Sequence, residues 1–166
     1  ARIATEAGPE VQRSYFTRLG LLGPVPFEIK ELGAPLLPKR WGELEVMTTA
    51  YGHGIAVSPL HMAAAASAIV NGGKYIRPTI LKREGRGVIP HTRVISEETS
   101  SRMREMLRMV VTQGTGGKAD VPGYPVGGKT GTAEKTVGKG YDEKSLVTSF
   151  VGVFPAKAPL YLVLVV

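Results

Sequence analysis

Near the end of this sequence, Lys129-Thr130-Gly131-Thr132 combines a fixed positive charge with two hydroxyls at alternate positions. Alternate side chains of an extended strand fall on one face. Two hydroxyls and an ammonium at a cleft edge suit a carboxylate, and a backbone N–H in the same place helps to stabilise an oxyanion. The glycines let a ligand's backbone lie close, as an added strand would. The plainer reading is a glycine-rich hairpin with a solvated lysine. On the tetrapeptide alone that reading is preferred, because all four residues are common.

A second pattern overlaps the first. Gly123-Tyr-Pro-Val-Gly-Gly128-Lys129-Thr130 satisfies the phosphate-loop spacing G-x-x-x-x-G-K-[ST]. That chemistry needs a strand before the loop and a helix beginning at the Lys-Thr, so that backbone N–H groups cradle a phosphate. The residues before it, Gly114 to Asp120, are turn-forming, Pro125 interrupts the loop, and no helical period follows. A nucleotide-binding domain using Gly123–Thr130 is therefore an alternative reading, as is a non-catalytic ligand-binding module on the same strand edge. His53, His61 and His91 show no metal spacing such as H-E-x-x-H. His61 falls in an apolar helical run and reads as a satisfied core residue.

The elements that must position these residues follow from the pattern. Pro9 suits a first helical turn, and Val11, Tyr15, Phe16 and Leu19 predict a helix over 9–20 that closes at Gly20. Residues 21–45 hold four prolines and no period, so they read as one long connection. Ser58-Pro59 starts a buried helix running to Val70, which Asn71-Gly72-Gly73 ends. Ile76–Leu81 reads as a short strand or extended segment weakened by Pro78. Ser96-Glu97-Glu98-Thr99 opens another helix. Its Met103, Met106, Leu107, Val110 and Val111 recur at helical spacing as core filler. Gln113–Gly117 reads as flexible and Glu134–Lys144 as a polar loop, followed by strands over Leu146–Phe154 and Leu160–Val166. The expected fold class is α/β of the α+β kind, an antiparallel sheet flanked by helices.

Composition narrows the function further. The formal net charge is +7, spread as 10 basic against 6 acidic residues in 1–83 and 11 against 8 in 84–166. Without a basic patch or interleaved aromatics, a nucleic-acid partner is not expected; an anionic small substrate, or a negatively charged polymer or membrane nearby, fits the balance equally well. The absence of cysteine removes thiol chemistry, disulfides and Cys-ligated metals. There is no apolar stretch of membrane-spanning length and no leader pattern. A very apolar terminal run, Leu160–Val166, asks for partners on both sides, and the sequence reads as part of something longer.

The flanks of the tetrapeptide carry a resemblance. Val121-Pro-Gly-Tyr-Pro-Val-Gly-Gly-Lys-Thr-Gly-Thr-Ala-Glu134 resembles the third active-site motif of penicillin-binding proteins, with its Lys-Thr-Gly triplet. Tyr51-Gly-His-Gly-Ile-Ala-Val-Ser-Pro-Leu-His-Met62 and Asn71-Gly-Gly-Lys-Tyr75 resemble the segment preceding that motif in the class B enzymes. Ser149-Phe-Val-Gly-Val-Phe-Pro155 resembles the strands after it. The similarity spans essentially the whole chain, and Gly-His-Gly and Ser-Phe-Val-Gly are most like the septal, Gram-negative branch. Gly128 departs from it, standing where alanine is usual, a change expected to matter little beyond local flexibility.

The family also needs a Ser-x-x-Lys nucleophile motif and a Ser-x-Asn motif, and neither occurs here. The resemblance therefore implies that residues 1–166 are the C-terminal part of one transpeptidase domain, with a penicillin-binding-protein/serine β-lactamase-like fold and both motifs upstream. It implies that Lys129 sets the field of the cleft and that Thr130, Gly131 and Thr132 hold a substrate carboxylate. The Thr132 backbone N–H would supply half of an oxyanion hole, a donor whose removal costs roughly 3–4 kcal/mol in comparable sites. The implied ligands are peptidoglycan stem peptides and β-lactams, and the implied partners are the upstream part of the domain and divisome membrane proteins. No metal or cofactor is implied. The implied place is the periplasm, on an N-terminal anchor in the inner membrane.

Overall fold

Gly8-Pro9 divides the first helical stretch in two. Gly8 takes φ 83° and ψ 168°, outside helical space, and Pro9 lacks the N–H that would continue the ladder, so α1 (Arg2–Arg18) kinks there. The structure, a computed structural model, describes residues 1–83, 87–137 and 140–166, with side chains at all of these except 134–137 and 140–145. From Pro9 onward α1 matches the predicted helix. It ends with Gly20 N–H on Thr17 O and Leu21 N–H on Phe16 O, both at 2.9 Å, the paired bonds of a Schellman end. The turn over 2–7 has no apolar period and is not legible in the sequence.

The chain forms two compact units. In the first, Ala1–Ile69 with Gly73–Ile95, α1 packs on α2 (Glu43–Thr49). Gln12 joins them: its amide donates to Val46 O at 3.0 Å, and its carbonyl accepts from Trp41 Nε1 at 2.8 Å and Thr49 Oγ1 at 3.0 Å. Phe16 meets the Trp41 ring edge-on at 5.9 Å. α2 corrects the expected connection, which covers 21–42 rather than 21–45; seven residues are too few to show a helical period. Glu28 ties this connection down, accepting from Thr79 Oγ1 at 2.6 Å and from the Ile80 N–H at 3.2 Å. α3 (Pro59–Val70) starts at Ser58 as predicted. His61, Ala64, Ala65 and Ala68 are buried on one face and Val70 is buried at the helix end, whereas Met62 is exposed. The only ladder among the described residues of this unit pairs β1 (Lys74–Tyr75) with β2 (Thr92–Arg93). Residues 76–81 carry no strand; the Arg77 and Thr79 side chains tie this segment to Pro26 O and the Glu28 carboxylate.

The second unit comprises Val70–Gly72 with Ser96–Val166. α4 (Glu97–Gln113) opens where predicted, the Ser96 hydroxyl accepting the Thr99 N–H at 3.0 Å. Ser100 and Val111 are fully buried, but Met106 is 50 % exposed, a correction to its reading as core. It sits one residue, about 100° of helix, from Leu107 on the packed stripe. A sheet follows in the order β3 (Gly127–Val137), β4 (Gly140–Phe154), β5 (Tyr161–Val165), antiparallel throughout. Helices then strands, with an antiparallel sheet, is the expected class. The polar loop over 134–144 is overturned: Lys135 pairs with Asp142, Thr136 with Tyr141 and Val137 with Gly140 after a register shift at Glu134/Lys135. Backbone pairing, not apolar alternation, makes these hairpin arms, so composition concealed them; residues 138–139 of that loop lie outside the described residues.

Register assigns the faces. Directly opposed residues share a face, so Gly128, Thr130 and Thr132 lie with Gly152, Phe150 and Thr148, and onward with Val163 and Val165. The other face carries Gly127, Lys129 and Gly131 with Val153, Val151 and Ser149, then Leu162 and Leu164. Val153, 1 % exposed, marks the core on this second face. Among the described residues no helix is long and apolar enough to cross a membrane.

Candidate functional site

β3 is the edge of its sheet among the described residues, and α4 sets its height. A Cβ at Gly127 would stand 3.3 Å from the Arg108 nitrogen and 3.4 Å from Leu107 carbon and Ala156 Cβ, so the strand enters tight against the helix backbone. The Arg108 guanidinium bonds Val126 O and Asp120 Oδ1, both at 2.8 Å, and the Ala156 N–H donates to Pro125 O at 2.7 Å. Two polar bonds thus hold Pro125 and Val126, just before the strand, and a third ties Arg108 to Asp120.

The four expected site residues are consecutive on this strand, but not all on one face. Thr130 and Thr132 share one face as predicted, while Lys129 and Gly131 belong to the other. The lysine nevertheless folds back along the strand: Nζ donates to Thr130 O at 2.7 Å and stands 3.5 Å from Thr130 Oγ1. The charge and the hydroxyl therefore meet by curling of a long flexible stem, not by shared facing. Lys129 and Thr132 are exposed, and Thr130 and Gly131 are half-buried.

Two residues at this edge escaped the sequence reading. Thr115 Oγ1 lies 2.9 Å from Thr130 Oγ1, so the segment Gln113–Gly117, read as flexible, orients one of the two strand hydroxyls. Arg108 is the other, and its role needs the α4–β3 packing to be visible. Gly128 is a correction. A Cβ there would lie 2.5 Å from Val151 O and closer still to the Phe150 ring, so alanine is not an innocent exchange in this chain. Phe150 faces the same side as Gly128 and fills the space.

The phosphate-loop reading fails on geometry. Val121 and Tyr124 form an isolated bridge, and Lys129-Thr130 lie within β3 rather than at a helix start. Among the described residues no helix begins at Lys129-Thr130 to offer its N–H groups to a phosphate. His61 is the satisfied core residue that the sequence suggested. It is 1 % exposed; Nδ1 accepts from the Ser58 N–H at 3.3 Å and lies 2.7 Å from Ser58 Oγ, and Nε2 reaches Gly23 O at 2.9 Å. Its ring stands in for the acid of a capping box at the start of α3. Among the described residues no three His, Cys, Asp or Glu side chains group as a metal site.

The whole chain, residues 1–166, matches the family described as the penicillin binding protein transpeptidase domain. It is 42% identical over 166 residues to a probable peptidoglycan D,D-transpeptidase FtsI of Caulobacter vibrioides, covering 96% of this chain and 28% of that protein. It superposes on the apo transpeptidase domain of Burkholderia pseudomallei penicillin-binding protein 3 with a TM-score of 0.92 and 39% identity, over 98% of this chain and 50% of that one. It is also similar to penicillin-binding protein 3 of Mycobacterium tuberculosis in complex with aztreonam, at TM-score 0.85 and 30% identity, over 95% of this chain and 39% of that one. The chain belongs to the penicillin-binding protein transpeptidase domain family. It spans about a quarter of the length of the curated relative and half that of the Burkholderia structure.

Proposed function

We propose, from that family membership, that this chain is the C-terminal part of a transpeptidase domain that cross-links peptidoglycan stem peptides through a serine acyl-enzyme and binds β-lactams. The observation that carries the reading is the Lys129–Thr132 edge strand, with its ammonium and Thr130 hydroxyl drawn together. Residues 1–166 supply one wall of the cleft. The nucleophile and its lysine come from a Ser-x-x-Lys segment upstream, since no serine here has lysine three residues on.

In this arrangement the Thr130 and Thr132 hydroxyls donate to the substrate carboxylate while Lys129 supplies the positive field. Residues two apart in a strand send their backbone groups to the same edge. The Thr132 N–H therefore leaves on the side of the Thr130 carbonyl that Lys129 already reaches, and there it donates to the oxyanion. The serine attacks the D-Ala-D-Ala carbonyl, the C–N bond breaks with loss of D-alanine, and an amine of a neighbouring stem peptide takes the acyl group. The FtsI name of one relative supports a role in cell division; a periplasmic place on an N-terminal inner-membrane anchor, among division partners, belongs to the same proposal.

Labelling with a fluorescent penicillin tests this. The parent protein forms a covalent adduct, Lys129→Ala lowers its acylation rate by about 10²-fold or more, the size of losing one preorganised electrostatic contact, and the isolated 166 residues stay unlabelled. Labelling of the isolated chain would overturn the claim that the nucleophile lies elsewhere.

A further inference from the structure

Behind the start of β3 lies a cavity of about 410 Å³ that the transpeptidase reading does not use, lined by Ser101, Arg104, Glu105, Arg108, Pro125, Ala156 and Lys157. Its volume falls in the range of small-molecule sites, which are mostly apolar with a few fixed polar groups. Pro125 and Ala156 supply the apolar wall and three cations the polar groups.

The charges are unevenly matched. Arg108 is paired with Asp120. Arg104 is half-buried, and its bonds go to neutral groups: Nη1 donates to Val70 O at 2.9 Å and Ser100 Oγ at 3.1 Å. Among the described residues neither Arg104 nor the exposed Lys157 has an ion pair. Glu105 is the single acid in the lining. A half-buried guanidinium fixed by neutral partners gains from an anion within reach, and its anchored planar fork presents its remaining N–H groups at low entropic cost.

We propose that this cavity is an anion site that takes a small carboxylate- or phosphate-bearing molecule, its oxyanion between Arg104 and Lys157 and its body against Pro125 and Ala156. The bound molecule would lie directly behind Val126 and Gly127, whose positions Arg108 and Ala156 fix.

Calorimetric titration of the parent protein with inorganic phosphate, and separately with citrate, tests it against sodium chloride at matched ionic strength. Saturable binding of either probe is expected, and the one that binds names the chemistry. Lys157→Glu, at an exposed position with no bonded partner among the described residues, should weaken that binding at least tenfold without changing thermal stability. Arg104→Gln should weaken it further. Heats that match the chloride control for both probes, or an affinity unchanged in Lys157→Glu, would overturn the proposal.

Discussion

At Gly128 a missing side chain has a structural cause that no motif spells out. The Phe150 ring and the Val151 carbonyl occupy the volume that a methyl group would need. The ring can swing, but the carbonyl belongs to the ladder pairing β3 with β4 and cannot. Gly128→Ala is therefore expected to cost about 1–3 kcal/mol, the usual penalty for overpacking, and Phe150→Leu in the same protein should recover only part of it. Denaturant unfolding of the parent protein decides this; an unchanged midpoint in Gly128→Ala would show that β3 shifts freely. Lys129 illustrates the limits of alternation at the same scale. Strict facing separates it from Thr130, yet four methylene groups let its ammonium return to the strand, so which groups meet depends on side-chain reach as much as on backbone parity.

Among the elements, those with local chemical signals were the legible ones. Ser58-Pro59 and Ser96-Glu97-Glu98 announce α3 and α4 through capping, and β5 through its apolar run, because each signal lies within the element itself. α2 is held by Gln12 and Trp41, and the outer arms of β3 and β4 by one another's backbones; those partners are distant or carry no side-chain signature, so local patterns missed both elements. The connection over 21–42 is a further case, secured at Glu28. The hydrogen bond from Thr79, and then that from the Ile80 N–H and the charge of Arg77, outweigh desolvation and hold its carboxyl below the ordinary carboxylate range. A folded value below the unfolded one means that the contact contributes stability above the unfolded pKa and loses it as pH falls through the folded one. Hydrogen exchange at the Ile80 amide should accordingly show protection that declines, after correction for the intrinsic rate, as pH drops below about 4. Glu28→Gln should flatten that dependence; a decline identical in the variant would assign it to some other group.

Over the whole molecule, the sheet is covered unequally. One face packs Val153 into the core, while the other shows Tyr161, Val163 and Val165 at 59–66 % exposure beside Phe150. Their hollow of about 280 Å³ is almost wholly apolar, lined by Ala119, Val126, Phe154 and the same strand residues. Apolar strand surface of this extent is a contact surface in waiting, and the proposed upstream part of the domain is the economical cover, since the same part must bring the nucleophile to Lys129. The two requirements can be tested together. Co-expressed as separate chains, the upstream part and residues 1–166 should associate and regain penicillin labelling, which neither shows alone. Val163→Asp, remote from the Lys129–Thr132 strand edge, should break that association by placing a charge on the covered face, and labelling should fall with it. If Val163→Asp leaves association intact, the apolar face is not where the two parts meet. If association persists without labelling, the Lys129–Thr132 strand is not the second wall of the nucleophile's cleft.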